Sequence, residues 1–198
     1  MDDDELFTAD EQLLLETPDD EIIARNQTYS FNVKEFDARI SSGDAWQRIV
    51  QGHLYFEHVV GQLLLEALKK PEAISLSRMG YSQRLDLASA LGILDDELIY
   101  ALRKINSLRN KLAHNLNFEI TVQDVLDLAN CTSTVMRNEI QTGKGVDAGP
   151  LELYDLLMGN MVLLETQRQQ NAVSREIRRK SLLKVKLAAD EYRKVRNL

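Results

Sequence analysis

The residues 107–115, with sequence SLRNKLAHN, combine three side chains suited to chemistry on a phosphate. Arg109 carries a planar guanidinium, which binds phosphoryl oxygens in a bidentate geometry. His114 carries an imidazole, the side chain most often used for proton transfer near neutral pH, and Asn110 could orient a substrate group. On a helix Asn110 and His114 share one face, because they are four residues apart, whereas Arg109 lies about 140° from His114.

The same segment also has a purely structural interpretation, which residue chemistry alone favours. Cations in the last turn of a helix interact favourably with its dipole, and Asn115 stands where a helix C-cap would be. Arg109 lies on the flank of an apolar stripe and therefore needs a carboxylate, a carbonyl or a ligand phosphate beside it. Glu57 is one acidic residue that could meet it.

Other reactive residues are weaker candidates. His53 and His58 surround Glu57 on a predicted helix, but this order is not the zinc-binding pattern H-E-x-x-H. His53 falls on the apolar stripe and is interpreted as a packed histidine. Cys131, the single cysteine, lies among apolar residues and is interpreted as part of the core; alone, it excludes a disulfide framework and a multi-cysteine metal site.

The run RNKLAH at 109–114 resembles the R-[polar]-x-x-x-H motif of the HEPN superfamily (higher eukaryotes and prokaryotes nucleotide-binding). Members of that family are all-α bundles with the motif near the end of a long helix. Residues 84–125 are also similar to the mannitol operon repressor family, which is itself HEPN-like. The resemblance covers about 44–142 and implies an antiparallel bundle of the HEPN type.

For function, the resemblance implies a metal-independent endoribonuclease without a cofactor, acting as a toxin or phage-defence effector. His114 would be the general acid or base, Arg109 would stabilise the phosphoryl transition state and Asn110 would position groups. RNA would be the substrate because its 2′-hydroxyl is the nucleophile. Such proteins form homodimers with a composite cleft, in which Arg109 and His114 could act across the two-fold axis.

Two features limit what the resemblance implies. In one toxin branch of the superfamily a tyrosine stands two places after the histidine; here that residue is Leu116, so regulation by tyrosine modification is not expected. Some relatives are non-catalytic. The alternative function is therefore a regulator or adaptor that resembles the mannitol operon repressor and acts through protein–protein contacts.

The elements that would position these residues are helices, because the chain holds only 9 Gly and 3 Pro and its aromatic content is 6%. Predicted N-caps are Asp44, Asp95 or Asp96, and Thr121 in a capping box with Asp124. Apolar residues at three- and four-residue steps predict helices over 44–69, 84–91, 95–114, 121–142 and 151–195, preceded by one or two short helices in 5–30 broken at Pro18.

Four segments follow from this pattern: an acidic N-terminal arm at 1–30, a HEPN-like bundle at 31–142, a linker at 143–150 and a long basic C-terminal helix at 151–198. The net charge of −7 is unevenly distributed, since residues 1–21 hold ten acidic side chains and no basic one. Residues 165–198 hold ten Lys or Arg against four Asp or Glu.

The basic helix could follow an RNA backbone, could be simply solvated, or could contact the acidic arm, which would then shield the RNA site. The helix over 151–198 could also bind an antitoxin or another protein subunit. An acidic start, a lone cysteine and the lack of a long apolar run predict a cytoplasmic protein with no membrane partner. The candidate RNA contacts are Arg103, Lys104, Lys111, Arg175, Arg178, Arg179 and Lys180.

Overall fold

The computed structural model describes residues 6–145 and 149–196, and within them every element is helical, which confirms the predicted all-α class. The chain divides into two compact units: residues 29–168 form one, and residues 6–28 together with 169–196 form the other. The α-helices are α1 (Ala9–Glu16), α2 (Asp19–Asn26), α3 (Val33–Ser41), α4 (Ala45–Ala67), α5 (Tyr81–Ala90), α6 (Asp96–His114), α7 (Val122–Cys131), α8 (Thr134–Lys144) and α9 (Leu153–Arg196).

Helices α4 and α6 form the centre of the unit 29–168. The backbone N–H of Asp44, the predicted N-cap of α4, donates to Gln47 Oε1 at 2.9 Å, and α4 ends before Pro71 as expected. The α4–α6 core is continuous, and full burial of a large apolar side chain contributes about 1.5–3 kcal/mol. Its largest fully buried members on these two helices are Ile49, Phe56, Leu63, Leu64, Leu98, Leu102, Ile105 and Leu108.

The connection from α5 to α6 fixes where α6 begins. Gly92 has φ +63°, a left-handed conformation that favours glycine, and it stops α5 as predicted. Asp95 is the N-cap residue of α6, with Asp96 and Glu97 in the first turn, where acidic side chains favour the helix dipole. Asn115 is the C-cap residue, in an extended rather than a left-handed conformation. The motif helix therefore runs over nearly the predicted residues.

The single helix predicted over 121–142 is wrong, because the structure divides it into α7 and α8. The capping box of Thr121 and Asp124 is confirmed at the start of α7. Thr132 then turns extended and donates its hydroxyl to Leu128 O at 3.1 Å, while Ser133 Oγ accepts the Met136 N–H at 3.2 Å. Hydroxyl side chains that bond to the local backbone end one helix and cap the next.

Helix α9 begins close to the predicted residue, and its N-terminal part belongs to the unit 29–168. Leu156, Leu157, Met161 and Leu164 lie in the same core as α4 and α6. The division between the units therefore falls near residue 168, inside α9, rather than at the 143–150 segment, of which residues 146–148 lie outside the described part. Helix α3, which the sequence analysis did not predict, also packs on α4.

In the other unit, α1 and α2 lie on either side of Pro18 as predicted, and both pack on the C-terminal part of α9. Phe7, Leu14, Ile22 and Leu183 form its small apolar core. This packing supplies the contact between the tail and the N-terminal arm that the sequence analysis offered as one alternative.

Candidate functional site

The buried stripe of α6 determines which side chains of the motif reach solvent. Leu102, Ile105 and Leu108 are fully buried, so the opposite face carries Asn110 and His114 outward. Arg109 follows Leu108 directly and is half-buried on the flank of the apolar face. The orientation inferred from the sequence is thus the orientation in the fold.

Arg109 lines a cleft of about 450 Å³ whose other walls are mostly apolar. Its Nη1 donates to Asn110 Oδ1 at 3.2 Å. Among the residues that the structure describes, no carboxylate lies within 4 Å of its guanidinium. Glu57 does not pair with it, because the Glu57 carboxylate contacts Arg84 Nη1 at 3.4 Å. The remaining lining residues are Trp46, Val50, Leu112, Ala113, Asn115, Leu116 and Phe118.

His114 is the last residue of α6, and its side chain is exposed. It lines a second, shallow cleft together with Ser107, Asn110 and Lys111. Asn110 therefore lines the cleft of His114 and contacts Arg109, whereas Arg109 and His114 do not line a common cleft within one chain. The structure joins Arg109 to Asn110 by a hydrogen bond and places Asn110 beside His114 in the second cleft, but it does not bring Arg109 and His114 together.

A buried polar contact lies directly behind this surface. The Asn106 side chain, one turn before Asn110 on α6, is only 9% exposed. Its Oδ1 lies 3.0 Å from His53 Nε2, and its Nδ2 donates to Ser82 Oγ at 3.1 Å. His53 is 3% exposed and stacks edge-on against Tyr81, which confirms that it is a packed histidine.

The burial of His53 lowers the pKa of its imidazole, because a charged ring would lose its hydration in the core. The hydrogen bond to Asn106 and the charge of Glu57 act in the opposite direction, and the positive charge of Arg109 lowers the pKa further. A neutral His53 donates through Nε2 to Asn106 Oδ1, since the Asn106 amide nitrogen is already directed at Ser82.

The three candidate RNA contacts on α6 are all paired with carboxylates. Arg103 Nη2 bonds to Asp86, and Lys104 Nζ bonds to Asp127 Oδ2 at 2.9 Å. Lys111 Nζ lies 3.6 Å from Asp124 Oδ1 and 5.3 Å from the centre of the Phe118 ring. These pairs leave Arg109 as the cation near the motif that has no acidic partner in the described part of the chain.

The candidate RNA contacts on α9 differ in how far their side chains are buried. Lys180 is buried and donates to Thr17 O at 2.6 Å and to Asp19 Oδ1 at 2.7 Å, so it anchors the N-terminal segment. Arg175 is half-buried, whereas Arg178 and Arg179 are exposed. Of the four candidate RNA contacts on α9, only Arg178 and Arg179 have exposed side chains.

Two aromatic residues beside Arg109 were missed as site residues. The spacing of Trp46 from Ile49 and Val50 predicts a place on the apolar core stripe of α4, which is wrong, because its side chain is 51% exposed and lines the Arg109 cleft. Phe118 lines the same cleft from the segment after α6. The available signal was the position of Trp46 in the first turn of its helix, before the buried stripe starts at Ile49. Cys131 is likewise half-buried instead of lying in the core.

Comparison with models of protein families, with curated proteins and with solved structures found no match to this chain. Within the described residues, no helix is both long enough and apolar enough to cross a membrane. The same part of the chain holds no group of three or more His, Cys, Asp or Glu side chains that could bind a metal ion.

Proposed function

We propose that this protein is a metal-independent endoribonuclease of the HEPN type, a toxin or phage-defence effector that acts as a homodimer in the cytoplasm. One observation carries the proposal: the half-buried guanidinium of Arg109 has no carboxylate partner among the described residues, yet lies on the helix that ends in the exposed His114. The motif RNKLAH at 109–114 supplies the resemblance to that superfamily.

The charge environment of Arg109 favours a phosphate ligand. An arginine removed from bulk water is stabilised by an anion or by several acceptors, and Arg109 has the Asn110 amide oxygen. Neighbouring cations, including Arg103 and Lys111, already have an aspartate as a partner. An anion that entered this region would therefore interact most strongly with Arg109.

The proposed reaction is an internal transesterification of RNA. The 2′-oxygen attacks the adjacent phosphorus, the bond to the 5′-oxygen breaks, and the products end in a 2′,3′-cyclic phosphate and a 5′-hydroxyl. His114 removes the proton of the 2′-hydroxyl or supplies the proton of the leaving 5′-oxygen, and Arg109 binds the charged phosphoryl oxygens. Because the two side chains line different clefts of one chain, a two-fold dimer would combine Arg109 of one copy with His114 of the other.

The test is incubation of the purified protein with total RNA and a tRNA pool in the presence of EDTA. Wild type should cleave and leave 2′,3′-cyclic phosphate ends. His114→Ala should lower the rate by about 10²–10⁴, the usual contribution of a general acid or base. His58→Ala is the matched control, because His58 is also exposed and its ring bonds to a backbone carbonyl, Ser30 O, at 3.1 Å.

A second pair of variants separates binding of phosphate from folding. Arg109→Ala should abolish cleavage with helicity and dimerisation nearly unchanged, and Arg137→Ala, which removes another half-buried guanidinium, should leave cleavage intact. Intact RNA with every protein, or equal cleavage by wild type and His114→Ala, would contradict the proposal. If Arg109→Ala unfolds the protein, Arg109 has a structural role instead.

One observation favours a second candidate, a non-catalytic adaptor resembling the mannitol operon repressor. Leu182, Val185 and Tyr192 are more than half exposed on α9, whereas Leu183 on the opposite side is packed against the N-terminal helices. A narrow apolar stripe at such spacing is typical of a helix that pairs with another helix. Under this function Val185→Glu would release a bound protein subunit from the natively purified complex, and the neighbouring Lys184→Glu would not.

A further inference from the structure

The cleft beside Arg109 carries an aromatic side chain that the proposed reaction does not use. We propose that Trp46 is a stacking platform for an unpaired nucleobase of the RNA, next to the phosphate that Arg109 binds. The inference rests on the proposed function and narrows its substrate class to single-stranded RNA, with Phe118 lining the same cleft.

Helices α4 and α6 place Trp46 and Arg109 on the same cleft. Trp46 projects from the first turn of α4, Val50 follows one turn later, and Arg109 comes from the last two turns of α6. The cleft volume of about 450 Å³ falls in the range of small-ligand sites, roughly 300–1,000 Å³, and so can accept one nucleotide. Because both helices belong to the central core, the platform stands on a rigid support.

Trp46 is a large aromatic side chain that the core around α4 leaves exposed. Ile49, Phe56 and Val60 on the same helix are fully buried, whereas half of the Trp46 side chain faces solvent. A large aromatic ring that is half exposed at the rim of a cleft adds little to the core and leaves ring surface accessible to a ligand. Trp46 and Val50 also line an adjoining concavity with the polar side chains of Gln47 and Gln51. A chain that stacks on Trp46 could therefore continue along α4.

The combination of groups identifies a nucleotide better than a purely apolar ligand. An apolar peptide would cover the walls but would leave the guanidinium of Arg109 without an anion in a half-buried site, which is costly. A nucleotide fits both the cation and the aromatic wall of the cleft, since its phosphate pairs with Arg109 and its base stacks on the Trp46 indole. Bases inside a duplex are stacked on one another and cannot reach a side chain in this way, which selects single strands.

Trp46 is the only tryptophan in the chain, so its fluorescence reports on the site directly. The probe is a short RNA oligomer with 2′-O-methyl groups, which cannot be cleaved, offered either as a single strand or as a duplex. We expect the single strand to quench Trp46 fluorescence and the duplex to leave it nearly unchanged. Arg109→Ala should abolish the quenching, whereas the control Arg137→Ala should retain it.

The affinity of Trp46→Ala is measured by anisotropy of a labelled oligomer, with circular dichroism as the check on folding. Loss of one stacked base should weaken binding by about 5- to 150-fold, and Trp46→Phe should recover part of it. Unchanged affinity in Trp46→Ala, or equal quenching by single strand and duplex, would overturn the inference.

Two results separate this inference from the proposed function. Cleavage by wild type without any quenching by the oligomer would support the ribonuclease function and contradict the stacking role of Trp46. Quenching that depends on Arg109, in a protein that cleaves no RNA, would support the base-binding site and contradict the ribonuclease function. Fluorescence that changes with protein concentration in the absence of RNA would show that a second copy covers Trp46, which also overturns the inference.

Discussion

The buried hydrogen bond between His53 and Asn106 makes the stability of the unit 29–168 sensitive to mild acid. Burial lowers the pKa of His53 in the folded protein below its ordinary value of 6.5, whereas the unfolded chain binds a proton near that value. The unfolded state therefore binds more protons below pH 6.5, so acidification favours unfolding. The stabilising contribution of neutral His53 is complete above pH 6.5 and is lost as the pH falls towards the lowered pKa.

The size of this effect follows from the one proton involved. A single group changes the free energy of unfolding by at most about 1.4 kcal/mol per pH unit, so lowering the pH from 6.5 to about 5 can cost up to about 2 kcal/mol. Replacement of His53 by glutamine keeps an amide donor near Asn106 Oδ1 but removes the titrating group. His53→Gln should therefore be less stable than wild type at pH 7.5 and should lose much less stability on acidification.

Urea unfolding at several pH values between 7.5 and 5, followed by the fluorescence of Trp46 in the same unit, measures this difference. His58→Ala is the matched control, because it removes an exposed histidine from the same helix. We expect the control to follow wild type across the whole range. If His53→Gln and wild type lose the same free energy between pH 6.5 and 5, protonation of His53 does not cause the acid sensitivity and the reasoning is refuted.

Three further substitutions test contacts inside each of the two units. Arg168→Ala should cost about 3–5 kcal/mol, because it removes the only cation bonded to the fully buried Glu165 among the described residues, at 2.6 Å, and leaves that carboxylate with the Ser30 donors alone. Arg39→Ala in an exposed pair should cost less than about 1 kcal/mol, and equal losses in urea unfolding would contradict this. Leu157→Ala should destabilise the unit 29–168 by about 2–5 kcal/mol through the cavity it creates, and a small effect would show that α9 is not part of that core. Lys180→Ala should make residues 6–28 more sensitive to limited proteolysis, because it removes two hydrogen bonds to that segment, and unchanged digestion would argue against the anchor.

Much of the local structure was predictable from short-range patterns. The spacing of Leu98, Leu102 and Ile105 gave the buried face of α6, and that face in turn fixes the outward direction of Asn110 and His114. Capping residues such as Asp44 and Thr121 gave helix starts. These features are encoded locally, because helix periodicity and capping depend on residues within about four positions of one another.

Where competing local signals met, the sequence was misleading. The apolar periodicity over 121–142 predicts one helix, but the hydroxyls of Thr132 and Ser133 satisfy neighbouring backbone groups and break it. Trp46 fits the apolar stripe of α4 by spacing alone and is nevertheless half exposed, because the stripe starts to be covered only one turn later. Periodicity gives the face of a residue but does not tell whether another element covers it.

By itself, the sequence determined the helical class, the segment that carries Arg109, Asn110 and His114, and the concentration of positive charge at the C-terminal end. Only the tertiary structure decided which cations have a carboxylate partner, since the aspartates that pair with Arg103 and Lys111 come from other helices. Ion pairing and burial depend on residues far apart in the chain that folding brings within a few ångströms. For that reason the motif could mark Arg109 as a candidate phosphate ligand, but only the folded protein shows that no carboxylate among the described residues pairs with it.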